Sequence, residues 1–139
     1  MDEEGKLYTG GCLCGALRYE ARGEPLFMGH CYCADCRKAS GSGFIPFMAF
    51  SADGLTFSAP TRTFVCTSAR GGDAVRNSCP VCASLVFGGP VGETDSHTIY
   101  AGSLDDPSAF RPTVAIFTKG RPDWAVIPEG LTAFDGLPD

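Results

Sequence analysis

Seven of the eight cysteines in this 139-residue chain fall into three short groups. The groups are Cys12 and Cys14, then Cys31, Cys33 and Cys36, then Cys79 and Cys82. Such C-x-C and C-x-x-C spacings bring sulfurs close enough to share a metal ion, and zinc takes four tetrahedral ligands at ~2.3 Å from each thiolate sulfur. Two pairs therefore close one site, while the group of three makes a site with one position open. We expect two zinc ions per chain.

Charge and hydropathy narrow the class of partner. The net charge of −5 argues against a nucleic-acid partner, because binding to phosphate backbones relies on clustered lysine and arginine. The acidic N-terminus lacks the pattern of a signal peptide, and the longest apolar stretch, residues 44–50, is far short of a membrane span. We therefore expect a soluble cytoplasmic protein with no membrane partner. In that compartment cysteine clusters more often bind metal than form disulfides.

Other uses of the cysteines fit the sequence less well. A disulfide scaffold would normally carry an export signal and a denser cysteine content. A thioredoxin-like redox pair at Cys79 and Cys82 would need a helix after the second cysteine, whereas residues 84–89 read as a strand that ends in glycines. An iron–sulfur cluster stays open on ligand type alone, and so does a zinc-coupled redox sensor that releases metal on oxidation.

Short runs of β-branched and aromatic residues alternate with eighteen glycines and ten prolines, which is typical of a β-rich chain. The predicted strands are 7–8, 16–20, 26–33, 44–50, 55–57, 62–68, 74–78, 85–87, 97–101 and 113–118. A helical turn is predicted at 34–40 and a short helix at 106–110, with Asp105 as its N-cap and Pro107 at an early position. No sustained 3.6-residue period appears. We expect one mostly antiparallel β domain that zinc helps to stabilise.

The two cysteine pairs are predicted to form a structural zinc site. Residues 10–15 read as a turn between strands, which can aim Cys12 and Cys14 at one metal ion. In the C-x-x-C knuckle, Pro80 fixes the turn, and backbone N–H groups can donate to the thiolates of Cys79 and Cys82. Joining these pairs would tie the beginning of the chain to its middle, as structural zinc does.

The group of three, Cys31, Cys33 and Cys36, matches the pattern of catalytic zinc, which keeps one ligand position open. A closed second site is the alternative, with a fourth ligand from elsewhere in the chain. The candidates are His30, Asp35, Cys66 and His97. We expect Cys66 to be a buried inert thiol and His97 a surface histidine, which leaves Asp35 as the best local candidate.

Formal charge indicates what an open three-thiolate site can do. Zinc with three thiolates carries a charge of −1, so it polarises carbonyl groups poorly and favours holding a soft incoming thiolate. A small thiol substrate fits this chemistry better than a hydrolytic water. Arg37 and Lys38 follow the group directly and could offset its charge or meet a substrate carboxylate; they could equally be solvated surface cations.

Several motifs together resemble one family. They are GGCLCGALRY at 10–19, HCYCADCRK at 30–38, SGS at 40–42, CPVC at 79–82, AGSLD at 101–105, and Trp124. The chain resembles the glutathione-dependent formaldehyde-activating enzyme family, which shares its domain with centromere protein V. Two positions depart from the family pattern: Tyr32 stands where members often carry histidine, and Ala83 where glycine usually follows the knuckle.

The resemblance implies an Mss4-like (β-tent) fold of packed antiparallel sheets, spanning 8–134 between tails at 1–7 and 135–139. It implies a structural zinc on Cys12, Cys14, Cys79 and Cys82, and a catalytic, substrate-facing zinc on Cys31, Cys33 and Cys36. The activity it implies is that of a carbon–sulfur lyase, S-(hydroxymethyl)glutathione synthase, which joins formaldehyde to glutathione.

A non-catalytic reading stays open beside the enzyme. In it, the chain is a zinc-stabilised module that binds a protein or a thiol conjugate through an apolar cleft. Phe44, Phe47, Met48 and Phe50 are the candidates to line such a cleft, although a core strand is their commoner use.

Overall fold

The computed structural model describes residues 6–68 and 71–138, and within these ranges the chain forms strands with little helix. The strands are β1 (Leu7–Gly11), β2 (Arg18–Arg22), β3 (Phe27–Cys31), β4 (Ile45–Ser51), β5 (Leu55–Phe57), β6 (Arg62–Thr67), β7 (Asp73–Ser78), β8 (Leu85–Gly88), β9 (Ser96–Tyr100), β10 (Val114–Ile116) and β11 (Thr132–Ala133). One α-helix, α1 (Ala34–Ser40), and 3₁₀ turns at Ala52–Gly54, Ala101–Ser103 and Pro107–Ala109 complete these elements. None of the described helices is long and apolar enough to cross a membrane.

The strands form two sheets. The small sheet has three strands in the order β1-β2-β5, and the large sheet has eight in the order β11-β10-β3-β4-β9-β8-β7-β6. Pairing is antiparallel except that β10 runs parallel to both β3 and β11. The predicted β class and packed sheets are confirmed. The parallel pairs were not expected, since β11 is only two residues long and gives no sequence signal.

The register of the large sheet divides its side chains between two faces. Met48 pairs with Ile99. Their side chains pack in one buried core with Tyr19 of the small sheet and with Leu17, which directly precedes β2. On the opposite face Phe47 pairs with Tyr100. Because side chains alternate along a strand, each strand contributes to the core on one face and to a second surface on the other.

Helix α1 confirms the predicted helical segment at 34–40, and its ends are explained by local contacts. Cys33 is the N-cap, and its Sγ accepts a hydrogen bond from the Cys36 N–H at 3.2 Å. Gly41 ends the helix in the left-handed region at φ 71°, a conformation that suits glycine. Strand β3 therefore ends at Cys31, two residues earlier than predicted, because Cys33 already belongs to the helix cap.

The predicted cap at Asp105 is wrong by one residue. Asp106 caps the 3₁₀ turn, with its side chain accepting from the Ser108 N–H at 3.1 Å. The Asp105 carboxylate instead pairs with the Arg18 guanidinium and accepts from the Thr9 hydroxyl at 2.7 Å. This contact joins the loop after β9 to the small sheet, a tertiary use that helix-capping rules do not reveal.

A fully buried asparagine, Asn77 in β7, fastens the outer strands of the large sheet. Its Oδ1 accepts from the Thr61 hydroxyl at 2.7 Å, and its Nδ2 donates to the carbonyls of Phe87 and Gly89 at 3.3 and 2.9 Å. The register of β7 against β8 shifts beside Asn77. The Asn77 amide therefore donates to carbonyl groups at a point where the backbone hydrogen bonding between the two strands is irregular.

We expect Asn77→Asp to destabilise the protein by at least about 3 kcal/mol, because two carbonyls lose their donor and a charge enters the core. Urea unfolding at pH 7 measures this. Thr61→Val, which removes one hydrogen bond to the same amide, should cost only about 1 kcal/mol. Equal stability of Asn77→Asp and the unsubstituted protein would contradict this role.

Candidate metal centres and the cysteine cleft

The first candidate metal centre is the four-cysteine cluster, formed by Cys12, Cys14, Cys79 and Cys82, whose sulfurs all lie within 4.8 Å of one another. Cys14 Sγ is 3.7 Å from both Cys12 Sγ and Cys79 Sγ. A tetrahedron of sulfurs at ~2.3 Å from zinc has edges of about 3.8 Å. The sulfurs are thus already spaced as zinc ligands, and the cluster fits a metal ion.

Two turns present these sulfurs. In the β1–β2 turn, Cys12 N–H donates to the Leu17 carbonyl at 2.9 Å, and Leu17 N–H donates to Cys12 Sγ at 3.2 Å. In the β7–β8 turn, Cys79 Sγ accepts from the N–H groups of Val81 and Cys82 at 3.3 and 3.4 Å. These are the N–H donors predicted for the knuckle, and they stabilise negative charge on sulfur.

Ala83 closes the knuckle in a backbone conformation that is rare for alanine. Its φ is 66°, and its N–H donates to the Cys79 carbonyl at 2.9 Å. The left-handed region explains why glycine would suit this position, since it has no Cβ to clash with the backbone. The knuckle therefore carries the backbone strain of an alanine in the left-handed region.

The second candidate metal centre is the three-cysteine cluster, formed by Cys31, Cys33 and Cys36, whose sulfurs also lie within 4.8 Å of one another. Cys31 ends β3, Cys33 caps α1, and Cys36 lies in its first turn. The side-chain contacts with Cys31 and Cys36 lower the pKa of Cys33 to about 2, whereas its contact with Cys33 raises the pKa of Cys31. Three sulfurs held this close together favour a bound cation, which stabilises their thiolate forms.

The predicted fourth ligands do not join this cluster. Within residues 6–68 and 71–138, no carboxylate or imidazole has a ligand atom within 4.8 Å of all three sulfurs. His30 is buried and its ring stacks on Phe44 with centroids 4.1 Å apart. Asp35 lines the same cleft as the three sulfurs, but its carboxylate does not lie within 4.8 Å of all of them.

Cys66 and His97 are also placed elsewhere. Cys66 is half-buried on β6, not a core thiol. The expectation that His97 lies on the surface is wrong: it is 3% exposed in β9, packs edge-on to Phe57 and Phe87, and its Nδ1 donates to the Gly88 carbonyl at 3.1 Å. Its position two residues before the apolar Ile99 was the available signal for burial.

The three-cysteine cluster opens onto a cleft of about 330 Å³, which we name the cysteine cleft. It lies on the outer face of the large sheet, opposite the core shared with the small sheet. Its walls include Ile45, Phe47, Arg76, Gly88 and Tyr100. The cleft brings an apolar wall and a cation to the sulfurs, which is an arrangement suited to a small ligand.

Arg76, on β7, is the cation beside the sulfurs, and sequence reasoning missed it. Its Nη2 lies 3.8 Å from Cys36 Sγ, while its Nη1 donates to the Tyr100 hydroxyl at 3.2 Å. Burial works against its charge, but Tyr100 and Cys36 raise the pKa of Arg76, which stays protonated. Arg37 and Lys38, the cations predicted for this role, are not among the cleft-lining residues.

Aromatic residues near the motifs belong to the core. Tyr32 is 1% exposed, and its hydroxyl donates to the Val126 carbonyl at 2.9 Å, so it does not line the cleft. Met48 and Phe50 are buried between the sheets. These core residues therefore do not form the apolar cleft that was considered for a binding module. Of the four residues predicted to line such a cleft, only Phe47 lines the cysteine cleft.

Fold and clusters together define a class: a mostly β protein with two cysteine clusters, each of which could hold a metal ion such as zinc. The chain belongs to the glutathione-dependent formaldehyde-activating enzyme family, whose sequence profile matches residues 7–120.

Its fold is similar to the crystal structure of a Rhodobacter sphaeroides protein, a structural genomics target, with a TM-score of 0.54. Sequence identity is 16%, over 73% of this chain and 93% of that chain, so the likeness concerns the fold alone. No curated protein matches the chain.

We expect Ala83→Gly to stabilise the protein by about 1 kcal/mol, because glycine removes the steric cost of the left-handed backbone. Denaturant unfolding of the zinc-loaded protein measures the change. Ala39→Gly on the exposed side of α1 is the matched control and should instead cost about 0.5–1 kcal/mol. Destabilisation by Ala83→Gly to the same extent as the control would refute the strain.

Proposed function

We propose that this chain is a zinc-dependent enzyme of the carbon–sulfur lyase type, which joins an aldehyde to glutathione or another small thiol. The reaction is that of an S-(hydroxymethyl)glutathione synthase. One observation carries the proposal: three sulfurs without a fourth protein ligand among the described residues face a cleft that admits a small molecule. Membership of the family supports the reaction class.

In this proposal Cys31, Cys33 and Cys36 hold the catalytic zinc. The donor set fits, since three thiolates suit zinc and leave a position for a soft ligand. Zinc bound there would supply a site that lowers the pKa of a substrate thiol and holds it as the thiolate. The chain's own residues orient the partners, because Phe47 limits water on one wall and Arg76 places positive charge beside Cys36.

Cys12, Cys14, Cys79 and Cys82 hold the structural zinc in the same proposal, for two ions per chain. This site joins the turn of the small sheet to a turn of the large sheet. All eight cysteines are free, and the proposal requires the seven ligands to stay reduced, which is consistent with a reducing compartment such as the cytoplasm.

We expect Cys33→Ser to abolish thiol binding and to lower zinc from two ions to one while the fold persists. Serine is a favoured N-cap, so it can replace Cys33 Sγ as the acceptor for Cys36 N–H. Cys12→Ser should unfold the protein, because binding energy at a structural zinc is folding energy. Zinc analysis, circular dichroism and calorimetry with glutathione measure the three properties.

Two outcomes would contradict the enzyme. If Cys33→Ser unfolds as severely as Cys12→Ser, the three-cysteine cluster is structural. If the unsubstituted protein holds a single zinc ion and does not respond to glutathione, the chain is better described as a zinc-stabilised binding module.

A further inference from the structure

The cross-strand register places Arg76 and Tyr100 on the same face as the three-cysteine cluster. Arg76 pairs with Gly88 on β8, and Gly88 pairs with Thr98 on β9, two residues before Tyr100. Directly paired residues project to one face of a sheet, as do residues two apart in a strand. The two groups therefore meet over the outer face of the large sheet, although 24 residues separate them in sequence.

Gly88 leaves room for this contact. Arg76 and Tyr100 lie on strands β7 and β9, with β8 between them, so the guanidinium must cross over β8 to reach the phenol. A Cβ added at Gly88 would lie 3.0 Å from the Tyr100 hydroxyl. Glycine at this position leaves the space that the contact occupies.

The Tyr100 hydroxyl keeps a proton to donate. It accepts from Arg76 Nη1 at 3.2 Å, and a phenol has one proton of its own besides its accepting oxygen. A phenol ordinarily keeps its proton at neutral pH, so Tyr100 has a proton to give.

Among the described residues, the other charged groups of the cysteine cleft are negative. The carboxylates of Asp35 and Asp73 line it, together with the sulfurs of the three-cysteine cluster. Among the described residues that line the cleft, Arg76 is the sole cation. Negative charge that develops on a ligand oxygen is therefore favoured beside Arg76 and disfavoured near the two carboxylates.

We propose that Arg76 and Tyr100 form an oxyanion site that binds the aldehyde oxygen during thiol addition. This inference rests on the proposed function. The thiolate sulfur forms a bond to the aldehyde carbon, and the π pair of the C=O bond moves to oxygen. Arg76 stabilises the resulting alkoxide, which takes the proton of the Tyr100 hydroxyl to give the hydroxyalkyl thioether. Tyr100 then regains a proton from water, equal to the one that the thiol released, so the step involves no net oxidation.

The charge of the three-cysteine centre explains why such a pair is needed. A three-thiolate zinc site is a weak Lewis acid, so the metal suits the thiol better than the carbonyl group. Activation of the carbonyl must come from other donors. A guanidinium beside a phenol, held in a partly dry cleft, is a preorganised arrangement for this purpose.

A ligand-binding experiment tests the oxyanion site without turnover. Mercaptoacetate and 2-mercaptoethanol share an S–C–C–O skeleton and differ in the charge at oxygen. We expect the zinc-loaded protein to bind mercaptoacetate about tenfold or more tightly, because a hydrogen bond to a charged group is strong. Calorimetry should show this preference lost in Arg76→Met and largely kept in Arg76→Lys. A preference that persists in Arg76→Met would overturn the proposal.

A kinetic experiment tests the proton donor. Formaldehyde exchange between free thiol and its adduct is followed by NMR, with the spontaneous rate subtracted. We expect Tyr100→Phe and Arg76→Met to slow the catalysed exchange by about 10²-fold, with zinc content and 2-mercaptoethanol affinity unchanged. Tyr8→Phe on β1 and Arg62→Met on the exposed β6 are matched controls that should leave exchange unchanged.

The two proposals fail in different ways. Suppose that the unsubstituted protein accelerates exchange and that Tyr100→Phe and Arg76→Met do so as well as the controls. The oxyanion site is then overturned, while the proposed enzyme function is supported. If the unsubstituted protein gives no acceleration, the proposed enzyme is overturned, and with it the reaction step assigned to Arg76 and Tyr100.

Discussion

The contact between four sulfurs from two distant turns is the constraint on which the rest of the structure depends. Cys12 and Cys14 lie in the turn of the small sheet, and Cys79 and Cys82 lie in a turn of the large one. Cys12 and Cys79 are also buried members of the core between the sheets. A metal ion there would fasten the sheets at the edge of their shared core, which gives a chain of this size stability beyond its apolar packing.

This arrangement frees the outer face of the large sheet for chemistry. With its inner face occupied by the core, the sheet carries Phe47, Gly88 and Tyr100 on the other side, next to Cys31 and Cys36. The division follows from strand alternation, so a one-residue slip in β4 or β9 would exchange core and cleft residues. The buried amide of Asn77 helps to fix the register of β7 against β8, farther along the same sheet.

Features that depend on nearby residues were predictable. Cysteine spacing gave the members of each short group, because a C-x-x-C turn brings its sulfurs together whatever surrounds it. The two pairs were assigned to one site by counting the four ligands that zinc takes. Helix α1 was predicted because Gly41 marks its end. The cap of the next turn was misplaced from Asp106 to Asp105, since both are aspartates and only the distant partner Arg18 distinguishes them.

The sequence by itself determined the seven candidate ligands, the β-rich class and the family, because these are carried by local spacing and motif. Tertiary structure alone decided the surroundings of those ligands. It buried His97 and stacked His30 on Phe44, which removed two candidate ligands, and it brought Arg76 to Cys36 across forty residues of chain. Contacts between strands far apart in sequence depend on sheet order and register, and neither leaves a local pattern in the residues themselves.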